Sequence, residues 1–409
     1  MNTLLSGNKI SLLRSGGEYF PALLAAIDKA QIEIHLQTYI FVPDKAGLKV
    51  GDALKSAAAR GVKVYLLLDG FGSKDLPKSY VNALKAAGVE VMFYRPQISP
   101  WTLKRSRLQR MHRKVTVVDG QIGFVGGINI IDDFNTPNNM APRLDYAVQV
   151  QGPLLASMHL SVKLLWRRLY AKRLRALRVK QLKFSNLTTN KFKFSTPDFS
   201  LLQQNANQAL SGQNLGNIRA GFLLRDNLWH RRDIEDAYLA AIKSAKTEII
   251  IANAYFLPGV RFRHALGDAA VRGVRVILLL QGRVEYMLLD FASHALYSSF
   301  LKQGIEIYEY HKSFMHSKVA VIDEQWAMVG SSNIDPFSLL MSREANIEID
   351  NADFACQLKH ELQQSIENGA TQVTVNGWQN GHALRRFFSW VIYGLVRLMI
   401  GVSGYSSNR

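Results

Sequence analysis

The chain has 409 residues, of which 48% are hydrophobic and 20% are charged, and it carries a net charge of +18. This composition excludes an intrinsically disordered protein, and the length favours two domains of about 150–200 residues each. The excess of positive charge predicts an anionic partner, either nucleic acid or an acidic membrane surface. The single cysteine, Cys356, excludes an intrachain disulfide and a structural zinc site with two or more cysteine ligands.

Four sequence blocks occur twice along the chain, in the same order. In the first block, AQIEIHLQTYIF (30–41) matches AKTEIIIANAYF (245–256), and in the second, AAARGVKVYLLLDG (57–70) matches AAVRGVRVILLLQG (269–282). In the third block, LKAAGVEVMFY (84–94) matches LKQGIEIYEY (301–310). In the fourth, MHRKVTVVDGQIGFVGGIN (111–129) matches MHSKVAVIDEQWAMVGSSN (315–333). A repeat of this extent indicates a duplicated domain.

Each copy predicts the same elements in chain order. An apolar helix leads into a β-branched strand, a second helix leads into a buried strand such as VYLLL, and a third helix leads into another strand. Glycines stand where helix C-caps are expected, at Gly61, Gly88, Gly273 and Gly304. Alternating helices and strands predict an α/β fold, with a largely parallel sheet and helices on both sides. We therefore expect two similar α-β-α sandwich domains, packed about a pseudo-twofold axis around one shared active site.

Composition divides the chain into four segments. The predicted boundaries are a first half at 1–183, a linker rich in Asn, Ser, Thr and Gln at 184–218, a second half at 219–380, and an amphipathic tail at 381–409. Nine Lys or Arg residues interleave with apolar residues at 163–183, which predicts a helix at the membrane surface, with a plain solvated helix as the alternative. The tail is predicted to lie at the membrane surface as well, with a buried closing helix as the alternative. The basic loop WTLKRSRLQR, at 101–110, either gathers anionic headgroups or is simply solvated.

The fourth repeated block carries the residues for chemistry. Each copy holds a histidine, a lysine two positions later, an aspartate five positions after the lysine, and then a glycine and an asparagine. The residues are His112, Lys114, Asp119, Gly126 and Asn129 in the first copy, and His316, Lys318, Asp323, Gly330 and Asn333 in the second. A histidine and a lysine two apart on a strand share one face, and the strand is expected to continue to the glycine that begins the next turn. Packing of the two halves would then surround one small anion with both sets.

Such a site suits a phosphodiester. Lysines and asparagines stabilise the non-bridging oxygens as charge moves in the transition state. One imidazole can attack phosphorus, and the other can protonate the leaving oxygen and later deprotonate the incoming alcohol. The reaction requires no metal or other cofactor, and the two histidines are equivalent by this reasoning.

The paired motifs resemble the phospholipase D superfamily, whose signature is His-x-Lys-x4-Asp followed by glycine and asparagine. The resemblance covers both halves and implies that His112 is the nucleophile and His316 the general acid and base. It places Asp119 and Asp323 in the catalytic set, with bracing of the adjoining loop as the alternative. It also implies that a downstream carboxylate orients each imidazole, and the matching positions are Asp145 and Glu344. RMHRKVTVVD, IIIANAYFLPG and VGSSNIDPFSL are most similar to bacterial cardiolipin synthases of the B type.

The resemblance implies transfer of a phosphatidyl group to phosphatidylglycerol, with release of glycerol. Phosphatidylglycerol and, as a further candidate, phosphatidylethanolamine are the expected phospholipid substrates, and an anionic membrane is the expected surface. A phospholipase D hydrolase that uses water, a nuclease of the same superfamily and a non-catalytic lipid-binding protein are the alternatives. No nucleic-acid partner is expected, and the question of a protein partner stays open. The N-terminal residues lack a signal-peptide pattern, so we expect a peripheral protein on the cytoplasmic face of the bacterial inner membrane.

Overall fold

The computed structural model describes residues 4–96, 109–136, 140, 142–184, 215–226, 230–283, 287–335, 342–375, 391–392 and 394. The strands of the first half are β1 (Leu5–Arg14), β2 (Glu33–Thr38), β3 (Lys63–Asp69), β4 (Glu90–Tyr94), β5 (Lys114–Val118), β6 (Ile122–Gly126) and β7 (Tyr146–Gln151). Its helices are α1 (Ser15–Lys29), α2 (Lys45–Ala59), α3 (Lys78–Ala86) and α4 (Leu155–Phe184).

The second half repeats this order of elements. Its strands are β8 (Ile218–Arg225), β9 (Glu248–Asn253), β10 (Arg275–Gln281), β11 (Glu306–Tyr310), β12 (Lys318–Ile322), β13 (Trp326–Gly330), β14 (Glu344–Asp350) and β15 (Ala370–Gln372). Its helices are α5 (Asp233–Ser244), α6 (Val260–Val271), α7 (Met287–His294), α8 (Tyr297–Lys302) and α9 (Ala352–Gly369).

All the described strands join in one sheet, in the order β15-β11-β10-β9-β12-β13-β14-β8-β1-β7-β6-β5-β2-β3-β4. The first strands of the two halves, β1 and β8, pair antiparallel at its centre, so the strand order of one half mirrors that of the other. This arrangement is the pseudo-twofold packing that the repeat predicts.

The expectation of a largely parallel sheet is wrong. Only β2-β3-β4 and β9-β10-β11 pair in parallel. The strand of each motif does not continue to the glycine, because the chain reverses at Asp119 and Asp323 and returns as β6 and β13. Both aspartates have a φ of 52°, a left-handed conformation that aspartate tolerates in tight turns. The resulting hairpins, and the strands that follow them, pair antiparallel.

Helices cover both faces of the sheet in each half, so the α-β-α sandwich is confirmed. The helices α1, α2 and α3 enclose one core cluster with the first-half strands, and α5 to α8 enclose its counterpart in the second half. A third cluster contains residues of both halves and is covered by α4 and α9. Val125, Val148, Val329 and Ile347 are among its fully buried members. Burial of this shared apolar surface holds the halves together.

The predicted C-cap glycines are confirmed. Gly61, Gly88, Gly273 and Gly304 follow α2, α3, α6 and α8, with φ between +77° and +93°, where a side chain would be strained. Most of the predicted linker (185–214) and all of the predicted tail except Val391, Ile392 and Gly394 lie outside the described residues. No described helix is long and apolar enough to cross a membrane.

Candidate active site

The first motif occupies a β-hairpin. His112 precedes β5 and Lys114 is the first residue of that strand. The antiparallel register places Lys114 opposite Gly126, so Asn129 returns to the same end of the hairpin as His112. In the second copy, His316 precedes β12, where β12 and β13 pair in the same register as β5 and β6. The repeat therefore builds two hairpins, each with an imidazole, an ammonium group and a carboxamide at one end.

Backbone hydrogen bonds tie each motif to the opposite half. The amides of His112 and Arg113 donate to the carbonyl of Arg343 at 3.0 and 2.8 Å. Correspondingly, the amide of His316 donates to the carbonyl of Leu144 at 2.8 Å. The carbonyls belong to the residues just before the two predicted orienting carboxylates. The ends of both hairpins therefore meet at the boundary between the halves.

The side chains follow the same crossed pattern. Nδ1 of His112 lies 3.0 Å from Oε1 of Glu344, and Nδ1 of His316 lies 2.7 Å from Oδ2 of Asp145. Each imidazole thus takes its carboxylate from the other half. With Nδ1 held in this way, Nε2 is the ring nitrogen left to face a substrate. The imidazoles are 15% and 16% exposed, so they remain open from one side.

The carboxylates are themselves fixed by buried neighbours. Glu344 is fully buried and accepts a 2.6 Å hydrogen bond from the Ser331 hydroxyl. Asp145 accepts a 2.8 Å bond from the amide of Tyr146. A side chain at Gly127 would collide with the Asp145 carboxylate, so only glycine leaves that carboxylate in place. These contacts orient both histidine–carboxylate pairs before any ligand arrives.

Both motif lysines are buried at the same place. Nζ of Lys114 lies 2.8 Å from the carbonyl of His112 and 3.1 Å from its Nε2, and Lys318 donates to the carbonyl of His316. Burial lowers the pKa of Lys114 to about 7, aided by the charge of Lys318 and opposed by Glu344. The two buried lysines, whose charges act on each other, supply positive charge at this point, as an anion site requires.

The titration of the histidines reflects the same centre. Burial lowers the pKa of His112, although Glu344 opposes the shift. Burial and the charges of Lys318 and Lys114 lower the pKa of His316 well below its usual value. Burial also raises the pKa of Asp145 to about 7, against the opposing effect of Lys318. An anionic phosphate between them would oppose these histidine shifts, because it favours the charged form of an imidazole.

The asparagines flank this centre. Oδ1 of Asn129 accepts a 3.1 Å bond from the amide of Ile40, which leaves its NH2 group to donate elsewhere. Oδ1 of Asn333 is buried and has no partner within the described residues. The structure thus brings together eight of the predicted site residues, namely His112, Lys114, Asn129, Asp145, His316, Lys318, Asn333 and Glu344.

The two motif aspartates lie elsewhere, and the expectation that they are catalytic is corrected. Asp119 follows β5 at the end opposite Lys114, and its carboxylate accepts the amides of Gln31, Ile32 and Glu33 at 2.8–2.9 Å. Asp323 binds residues 246–248 in the same way, at 2.7–3.0 Å. Both aspartates therefore fix the entry of the neighbouring strand, which is the bracing alternative.

Sequence reasoning missed other residues at the site. The ring of Tyr39 packs edge-on against His112 at 4.8 Å, and Nζ of Lys114 lies 5.5 Å from its centroid. Asp69 accepts a 2.8 Å bond from the amide of Met111, next to the histidine. Tyr39 and Asp69 lie at the carboxyl ends of β2 and β3, where ligands bind in α/β sheets. That position in the sequence was the signal that could have identified them as site residues. The basic loop at 101–110 lies outside the described residues except for its last two.

The duplicated fold, with one histidine–lysine motif in each half, defines the class of phospholipase D-like enzymes. Residues 23–157 and 238–366 match the family "Cardiolipin synthase, PLD-like domain", and the chain belongs to that family. The predicted membership of the phospholipase D superfamily and the predicted similarity to the B-type cardiolipin synthases are confirmed. The chain is an enzyme of the phosphatidyltransferase class, as predicted.

Three relatives and one solved structure illustrate the similarity. Cardiolipin synthase B of Salmonella typhimurium is 39% identical over 367 residues, which cover 90% of this chain and 82% of the relative. The Escherichia coli K12 protein of that name is 37% identical with the same coverage. Cardiolipin synthase 1 of Bacillus anthracis is 31% identical, covering 92% and 69%. Phosphatidylserine synthase of Haemophilus influenzae shares the fold, with a TM-score of 0.65, 13% identity and coverage of 98% and 95%.

Proposed function

We propose that the enzyme is a cardiolipin synthase that moves a phosphatidyl group from one phospholipid to phosphatidylglycerol through a phosphohistidine intermediate. The crossed pairing of His112 with Glu344 and of His316 with Asp145 carries the proposal. It supplies two pre-oriented imidazoles beside two buried ammonium groups, which suits double displacement at one phosphorus atom.

In the first step, Nε2 of His112 attacks phosphorus and forms a P–N bond. The P–O bond to the donor headgroup breaks, and the departing oxygen takes a proton from Nε2 of His316. Phosphatidylglycerol as donor releases glycerol, and phosphatidylethanolamine releases ethanolamine. Lys114 and Lys318 stabilise the negative charge on the non-bridging oxygens, with the carboxamides of Asn129 and Asn333.

In the second step, Nε2 of His316 removes the proton from a headgroup hydroxyl of phosphatidylglycerol. The resulting oxygen attacks phosphorus, the P–N bond breaks, and His112 regains its lone pair. The carboxylates stabilise the imidazolium that each histidine becomes, Glu344 for His112 and Asp145 for His316. Attack by water instead of the lipid hydroxyl would give phosphatidic acid, so access of water decides between transfer and hydrolysis.

We infer that the substrates are drawn from an anionic membrane surface, on the cytoplasmic face of the bacterial inner membrane. The net charge of +18 and the positive residues of α4 support this location. Peripheral attachment follows from charge and amphipathic segments rather than from a spanning helix.

The test is incubation of the purified chain with phosphatidylglycerol vesicles, followed by mass spectrometry of the lipids. Cardiolipin is expected from the wild type and from neither His112→Ala nor His316→Ala. Phosphatidic acid in its place would identify a hydrolase. An absence of lipid turnover even with phosphatidylethanolamine, together with cleavage of an oligonucleotide, would refute the lipid assignment in favour of a nuclease.

A further inference from the structure

A cavity of about 520 Å³ lies in the first half, between α4 and one end of the sheet. Glu33, Lys63 and Glu90 line it, and they are the first residues of β2, β3 and β4. The catalytic histidines lie toward the carboxyl ends of these strands, about 16–20 Å away by the rise of a strand. The cavity is therefore separate from the catalytic centre. Its volume lies within the range of about 300–1,000 Å³ that small-molecule sites occupy.

The helical wall of the cavity is amphipathic along its length. Trp166, Tyr170 and Leu174 follow at intervals of four residues and form one apolar stripe. The ring of Tyr65 continues the stripe from the sheet, with its centroid 5.0 Å from that of Trp166. Tyr170 and Leu174 are 46% and 43% exposed, so the stripe runs out of the cavity to the surface.

A positive stripe runs beside the apolar one. Arg167 and Arg175 line the cavity from α4, and Lys63 lines it from β3. Within the described residues, none of these three side chains has an ion pair or hydrogen bond. Glu90 contributes one negative charge to this part of the lining and the three cations contribute three positive charges, so an excess of positive charge remains.

The carboxylate of Glu33, at the floor, does not neutralise these cations. It is held by Lys163 at 2.6 Å, by His159 at 2.7 Å and by His35 at 3.4 Å. Burial alone would raise the pKa of Glu33, but the hydrogen bonds from these three side chains lower it well below its usual range. Its charge is thus already compensated inside the protein.

In the second half, the residues equivalent to Glu33, Lys63 and Glu90 form ion pairs with one another. Arg275, the counterpart of Lys63, bridges Glu306 at 2.7 Å and Glu248 at 3.1 Å. Lys359 adds a contact to Glu248 at 2.6 Å. In the first half, a lysine replaces the bridging arginine and the covering helix α4 has 30 residues, against 18 in α9. The duplication has therefore left one copy of this surface with uncompensated positive charge.

We propose that the cavity is a second, non-catalytic binding site for a single anionic phospholipid. The phosphate binds among Lys63, Arg167 and Arg175, because guanidinium and ammonium groups are the usual partners of a phosphodiester. The glycerol-ester region and first acyl carbons lie along the apolar stripe of Trp166, Tyr170 and Leu174. This site does not depend on the proposed reaction, since it shares no residue with the catalytic centre.

A photoreactive short-chain phosphatidylglycerol, with a diazirine on one acyl chain, tests the site. The full-length chain carries His112→Ala and His316→Ala, so that turnover does not consume the probe, and labelled peptides are identified by mass spectrometry. Label is expected on β3 and on residues 163–175 of α4. Arg167→Glu should reduce that label about tenfold, because it places a negative charge beside the phosphate.

Arg173→Glu is the matched control, because Arg173 is exposed on the same helix and does not line the cavity. It should leave the label unchanged, and both variants should keep the thermal unfolding temperature. Unlabelled phosphatidylglycerol should compete, and short-chain phosphatidylcholine should compete weakly. The proposal is overturned if these peptides stay unlabelled, if both arginine variants lose label equally, or if glycerol 3-phosphate competes as well as the lipid, which would assign the cavity to free phosphates.

Discussion

Replacement of Asp145 by asparagine keeps the shape of the side chain and removes its charge. The 2.7 Å contact with Nδ1 of His316 is a charge-assisted hydrogen bond, and such bonds contribute about 1.5–3 kcal/mol. Since about 1.4 kcal/mol corresponds to a tenfold change in rate, Asp145→Asn should slow turnover about 10- to 150-fold. The asparagine NH2 group can also donate to Nδ1 and place the proton on Nε2, which raises the loss toward the upper limit.

The defect should be confined to proton transfer by His316. A phosphatidyl donor with a 4-nitrophenyl leaving group needs no proton to depart, so the first step bypasses the general acid. Rapid mixing of Asp145→Asn with this donor should therefore give a full burst of nitrophenolate, followed by slow turnover. Glu344→Gln weakens the support of the attacking His112 and should lose the rapid burst.

His112→Ala and His316→Ala provide the reference behaviour. The Asp145 variant should match the His316 variant, although Asp145 lies in the other half of the chain. If Asp145→Asn behaved like His112→Ala instead, the crossed pairing would be wrong. If His316→Ala lost the burst and His112→Ala kept it, the pairing could stand but the two histidines would exchange roles.

Three further predictions address the surroundings of the site. Asp323→Ala should lower the free energy of unfolding in urea by about 1–3 kcal/mol, because backbone amides lose their acceptor. Turnover per folded molecule should stay unchanged. A loss of turnover at wild-type stability would instead show a direct catalytic role for Asp323. Gly127→Ala should reduce turnover at least as much as Asp145→Asn by displacing that carboxylate, whereas Gly17→Ala, which adds a methyl group in open space, should have wild-type activity. The affinity of the resting enzyme for sulfate should fall as the pH rises through about 7, since Lys114 loses its positive charge and Asp145 gains a negative charge there. Calorimetry should show a shallower fall in affinity for Lys114→Arg. Equal affinities at pH 6 and pH 8 would contradict both pKa values.

The sequence predicts much of the fold because the duplication repeats its local signals. Helix caps such as Gly61 and Gly273 mark equivalent ends in both halves, and the buried runs after them become β3 and β10. The hairpin after Lys114 was missed, although Asp-Gly between two β-branched runs is a turn signal. That turn changes the sheet from largely parallel to mixed, and it brings Asn129 back beside the histidine.

The crossed pairing could not be predicted from the sequence. The repeated pattern indicates which residues are equivalent in the two halves. It does not indicate whether His112 pairs with a carboxylate of its own half or of the other half. The choice depends on how β7 and β14 enter the boundary between the halves, which is a property of tertiary packing. For the same reason, the spacing of Asp119 from Lys114 within one motif wrongly suggested a common site, whereas the intervening strand holds them apart.

Because each histidine is oriented by a carboxylate of the other half, neither half has a complete histidine–carboxylate pair by itself. During synthesis the amino-terminal half emerges first, and His112, the proposed nucleophile, then has no Glu344 to orient its ring. A first-half fragment that ends within residues 184–218 is in the same condition, and the second half expressed by itself has His316 without Asp145. On the proposed mechanism, phosphorus chemistry therefore begins only when both halves have folded and docked, and an unfinished chain near a membrane has no competent catalytic centre with which to damage its lipids.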